Sequence, residues 1–99
     1  RQMCIRDRYR ITKFTAPNMD KAQEISESMR DILESVGADF IDIVSCGNGE
    51  GLVVAKYPSQ TVMDAATETA KQAFGKMVES GAINGASIQA TTGEVLMSF

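Results

Sequence analysis

Two apolar stripes at helical spacing, lying on either side of an Asn-Gly dipeptide flanked by short apolar runs, constrain this chain more than any other feature. Ala22, Ile25, Met29, Ile32, Leu33 and Val36 recur in steps of three and four, which places them on one side of a helix from Met19 to Val36. Asn18 is a good N-cap for that helix, and Gly37 supplies its C-terminal stop. The second stripe is Val62, Ala66, Ala70, Ala73, Phe74 and Met77, opened by Pro58-Ser59 with Ser59 as the cap and closed at Ser80-Gly81.

The segments between read as strands. Tyr9 to Thr15 is rich in β-branched and aromatic residues, and Phe40 to Ser45 and Gly51 to Tyr57 follow. A final β region follows Gly81, with a break at Thr92-Gly93 and its strongest part at Glu94 to Phe99. The order β-α-β-β-α-β predicts an α+β, ferredoxin-like domain: an antiparallel sheet with two helices on one face. A turn at Asn48-Gly49 pairs Ser45 with Leu52, Ile43 with Val54 and Ile41 with Lys56. The opposite face then carries Phe40, Asp42, Val44, Val53, Ala55 and Tyr57. Both faces are largely apolar, and a sheet with helices on one side only then calls for a partner on the other.

Composition narrows the function classes. Ninety-nine residues, 43% apolar and 23% charged, make one ordinary globular domain. A chain of this size buries only about two-thirds of its unfolded surface, so pairing with a second copy is one remedy for marginal stability. There is no histidine, which excludes a Ser-His-Asp or Cys-His centre, an imidazole zinc site and a histidine-ligated haem. Net charge is −3, and without residues 1–8 seven basic side chains face 12 acidic ones. Such a body argues against nucleic acid and anionic membranes as partners. No run approaches the roughly 18 apolar residues of a membrane span, and the N-terminus has no apolar signal-peptide core. Cys4 and Cys46 make neither a disulfide framework nor a CxxC motif, which reads as cytoplasmic.

Residues 1–8 have no helical or strand period, and their charge opposes everything downstream. They resemble translated adapter read-through at the ends of metagenomic reading frames, or else an ordinary disordered tail. Both readings set 1–8 apart as a tail, leave Cys4 without a role, and start the domain at residue 9, running to 99.

The order of elements, the Gly-Ala-Asp-Phe-Ile-Asp-Ile-Val segment from Gly37 to Val44 and the Val-Val-Ala-Lys-Tyr-Pro-Ser segment from Val53 to Ser59 resemble the dimeric α/β-barrel superfamily. Within it they are most similar to small antibiotic-biosynthesis-monooxygenase-like (ABM-like) domains. The resemblance implies a homodimer whose sheets pack face to face, and a pocket within the barrel or between sheet and helices. It implies no cofactor. Members include cofactor-independent monooxygenases and proteins without known activity. The histidine-ligated, haem-handling branches do not fit a chain that has no histidine. Family oxygenases often carry Trp, Tyr, Asn and Arg in the pocket; tryptophan is missing here, and no Asn or Arg matches by motif.

Few residues could carry chemistry. Gly47, Gly49 and Gly51 imitate a dinucleotide fingerprint, but a strand follows them rather than a helix, so they belong to a hairpin. Cys46 lacks an activating neighbour and reads as a small buried hydrophobe. Glu24, Glu27, Asp31 and Glu34 form a solvated helix face with Lys21 and Arg30. Met29, Met63, Met77 and Met97 read as core filler. Asp42 and Tyr57 remain as a base and an orienting donor, with Phe40, Val44 and Val53 as the apolar lining of a ligand site around them. Asp42 at a rim, paired with a cation across a dimer, is the competing account. Two functions follow: a dimeric module that binds a small apolar or aromatic molecule, or a cofactor-independent monooxygenase acting on a phenolic or quinol-type substrate. Fold cannot choose between them.

Overall fold

The computed structural model describes residues 7–99. In chain order the elements are β1 (Arg8–Thr15), α1 (Met19–Ser28), α2 (Arg30–Glu34), β2 (Phe40–Gly47), β3 (Glu50–Tyr57), α3 (Gln60–Glu79) and β4 (Asn84–Glu94). The strands form one antiparallel sheet in the order β2-β3-β1-β4, the expected ferredoxin-like arrangement.

The helices cover one face of this sheet. Alternation along β1 turns Thr12 and Phe14 inward, where both are buried, and leaves Ile11 and Lys13 outward and exposed. Phe14 joins Ala22, Met29, Ala73, Met77 and Ile83 in the larger core cluster. Ala55, Tyr57, Met63 and Ala66 form a second cluster nearer the other end of the sheet. Both expected caps are present: Asn18 Oδ1 accepts from Lys21 N at 3.0 Å, and Ser59 Oγ accepts from Val62 N at 3.2 Å. Among the described residues no helix is long and apolar enough to cross a membrane.

Four features depart from the reading of the sequence. The first helix is interrupted at Met29. Ser26 Oγ and Ser28 Oγ donate back to the carbonyls of Ala22 and Ile25, a competition that bends helices. Met29 still packs into the core, but Ile32 turns outward at 48% exposure.

The register between β2 and β3 slips by one residue. Asn48 and Gly49 both have positive φ, as the two-residue turn requires, and Gly47 pairs with Glu50. Gly47 also has positive φ, and beyond it the ladder shifts, so that Ser45 pairs with Gly51, Ile43 with Val53 and Ile41 with Ala55. Cys46 is the extra residue of this bulge and is exposed, not a buried hydrophobe.

The last strand ends at Glu94 rather than continuing to Phe99. Arg8 pairs with Glu94 at the end of β1, and among the described residues the ladder goes no further; Leu96, Met97 and Phe99 are exposed, and Met97 is not core filler. Finally, β1 opens one residue earlier than expected. Arg8 opens β1 and pairs with Glu94 at 2.9 Å, while Asp7 is buried and accepts an N–H from Val95 at its carbonyl. Cys4 and the rest of the expected tail lie outside the described residues.

Candidate ligand pocket

The helix-facing side of the sheet does not close completely against the helices. An inner cavity of about 50 Å³ lies over Arg10, Thr12, Val53, Ala55 and Tyr57, roofed by Ala70, Ala73, Phe74 and Met77. An outer cleft of about 410 Å³ runs between β2 and the α1–α2 segment, with Phe40, Ile41 and Ile43 on one wall and Glu27, Arg30, Leu33 and Glu34 on the other. Ser26, Leu33, Ile41 and Ile43 line both spaces, so the cleft and the cavity adjoin. β2 supplies an incomplete wall: Ile43 faces the helix side yet remains 42% exposed.

The polar end of the cavity is built around Arg10. Its place in β1 opposite Ala55 turns it toward the helices. Arg10 Nη2 donates to the Met63 carbonyl at 3.1 Å and to Thr67 Oγ1 at 2.6 Å, while Thr67 itself donates to the same carbonyl at 3.2 Å. The guanidinium carbon stands 5.7 Å from the centre of the Tyr57 ring, a cation–π contact. Tyr57 is 3% exposed, and this burial pushes its phenol above the usual value, with the Arg10 charge opposing. The phenol is therefore neutral and protonated at neutral pH, which makes it a hydrogen-bond donor.

At the outer rim Arg30 spans two carboxylates. Its Nε and Nη2 donate to Glu27 at 2.9 and 2.7 Å, and Nη1 donates to Glu34 at 3.2 Å. The hydrogen bond from Arg30 holds the Glu27 carboxyl below its usual value. All three side chains are exposed, so the triad is a screened surface feature.

The bulge at Cys46 divides the residues proposed from sequence. Tyr57 and Val53 line the inner cavity, and Phe40 borders the outer cleft. Asp42 and Val44 pair with Val54 and Leu52 on the other face of the sheet, and both are exposed there. Phe40, at the margin, meets Tyr9 edge to face with ring centroids 6.1 Å apart. Asp42 and Tyr57 thus do not share a pocket. Arg10, Thr12 and Thr67 were missed. The parity of Phe14 in β1 was the available signal, since an inward Phe14 also turns Thr12 and Arg10 inward.

No family model matches the sequence, and no curated protein does. Solved structures do. A candidate antibiotic biosynthesis monooxygenase from Nitrosomonas europaea superposes with a TM-score of 0.67 at 15% identity, covering 97% of this chain and 96% of the other. A monooxygenase of Streptomyces coelicolor in complex with nanaomycin D gives 0.68 at 9% identity, covering 93% and 89%. A dimeric ferredoxin-like protein from an uncultured marine organism gives 0.65 at 13% identity, covering 94% and 90%. The chain shares the ferredoxin-like fold of these proteins. Identities this low carry the fold alone, and the site must be argued from its own side chains.

Proposed function

We propose that the protein is a homodimeric ABM-like α/β-barrel protein of the cytoplasm that binds a small apolar or aromatic molecule between its sheet and helices. The observation that carries this reading is an outer cleft that adjoins an apolar inner cavity lined by Arg10 and Tyr57, the two sharing Ser26, Leu33, Ile41 and Ile43. Pockets of this make-up, mostly apolar with a few convergent polar groups, are where proteins hold small ligands. The dimer is supported by the sheet face turned away from the helices, where Ile11 and Val44 are each 39% exposed beside half-buried Leu52 and Val54, with Lys13 and Asp42 among them. A largely apolar face marks an interaction surface, and a two-fold axis lets one copy cover the other. Titration with 1-naphthol, followed by amide chemical shifts, tests the pocket. Shifts at Leu33, Ile41, Ala55 and Tyr57 support it; shifts confined to the uncovered face, or none, overturn it.

Cofactor-independent oxygenation of a phenolic or quinol-type substrate is the second reading, favoured by the neutral Tyr57 phenol in a secluded cavity. There the substrate itself would donate the electron to oxygen, with Tyr57 orienting it by a hydrogen bond. The Streptomyces coelicolor monooxygenase of the same fold agrees with it. Oxygen uptake with a panel of hydroquinones decides between the two readings.

A further inference from the structure

Arg10 lines a largely apolar cavity, and no carboxylate among the described residues pairs with it. Its protein acceptors are a carbonyl and a hydroxyl, both on Nη2, and it forms no ion pair among the described residues. Nη2 has only two protons, so it is fully engaged, whereas Nε and Nη1 meet no acceptor among the described residues. Neither Nε nor Nη1 is a dry, unpartnered atom, so both remain open to water that a ligand oxygen can replace.

We propose that Arg10 receives an anionic oxygen of the ligand, which makes the ligand class a small aromatic acid bound carboxylate-first. The proposal rests on the reading of the cleft and cavity as a ligand pocket and adds what the ligand must carry. Size sets the direction of entry. The inner cavity of about 50 Å³ accepts a carboxylate or a water or two, but benzene needs a cavity of about 150 Å³. The outer cleft of about 410 Å³ holds a ring, against Leu33, Ile41 and Ile43. The acid therefore points inward and the ring outward. Because Nη2 is engaged with Met63 and Thr67, the carboxylate takes Nη1 through one oxygen rather than both arms of the fork. Glu27 and Glu34 at the rim are paired with Arg30, which reduces their repulsion of an entering anion.

Benzoate and benzamide, nearly the same in shape but different in charge, are titrated separately into the full chain at neutral pH with amide chemical shifts as the readout. The expected result is benzoate binding at least tenfold more tightly, with shifts at Arg10, Ala55 and Tyr57, and loss of that preference in Arg10→Gln. Arg10→Lys should restore part of it, since the charge returns. Equal affinities, both with shifts at the pocket, would overturn the acid preference and leave the pocket reading intact. Shifts at the pocket from neither compound would overturn both. If Arg10→Gln fails to fold, the comparison on the unaltered chain decides alone.

Discussion

The Phe14 ring lies over Gly51, its register partner across β1 and β3, so closely that a Cβ at Gly51 would meet Phe14 Cζ at 2.5 Å. The Val44 carbonyl, 3.1 Å from the same point, limits movement from the other side. Gly51→Ala therefore overpacks this part of the core and should cost about 1–3 kcal/mol in denaturant unfolding. An unchanged midpoint would mean that Phe14 has another rotamer to occupy.

Asp7 and Lys56 form an ion pair at 3.3 Å, with side chains only 1% and 9% exposed. Removing one partner of a buried pair leaves a charge in a poor dielectric, so Asp7→Ala should destabilise by about 3 kcal/mol or more. Deleting residues 1–8 should lower the melting temperature by several degrees for the same reason. Equal melting curves for the truncated and full chains would show that the pair contributes nothing.

Val44 and Val53 separate association from folding. Val44 is exposed on the uncovered face, and Val53 packs against the core beneath the helices. Val44→Asp should leave the protomer folded and weaken self-association by tenfold or more, through an unpaired charge in the interface. Val53→Asp should instead lower the stability of the protomer itself. Glu27→Gln, on the solvated helix side, should change neither. Sedimentation at micromolar concentration and thermal melts distinguish these outcomes, and a monomeric unaltered chain would refute the dimer.

Tyr57 predicts an alkaline signature. Its phenol ionises above the ordinary value of about 10 because burial disfavours the phenolate. The unfolded chain then releases its proton first, so stability is constant below about pH 10 and falls as pH rises from there through the folded value. Absorbance at the phenolate band should show one tyrosine titrating late, and Tyr57→Phe should remove that step and flatten the alkaline loss. A late step that survives in Tyr57→Phe would refute the assignment to Tyr57.

What was legible in the sequence was local. Asn18 and Ser59 cap their helices because an N-cap needs only a side-chain oxygen and the next turn, and Asn48-Gly49 turns because both residues tolerate positive φ. The faces of the hairpin were not legible, since they depend on one unpaired residue at Cys46, and period two converts that residue into an exchange of sides. Val53 and Tyr57 consequently face the helices, and Asp42 and Val44 face away. Arg10 is legible only by parity, since an inward Phe14 places Arg10 on the same side of β1; its partners Met63 and Thr67 on α3 follow from the fold alone. The interruption at Met29 depends on hydroxyl rotamers of Ser26 and Ser28, which residue type alone does not reveal.

Among the described residues β2 is hydrogen-bonded along one edge only, and its residues are exposed or half-buried throughout. Strands of this kind open locally at lower free energy than central ones such as β1, which is flanked on both sides. One wall of the cleft is therefore compliant while its floor is stiff. A guest bulkier than the resting space can enter by bending that wall outward, so selection by girth is weak and discrimination falls to whatever meets the rigid floor at Arg10 and Tyr57.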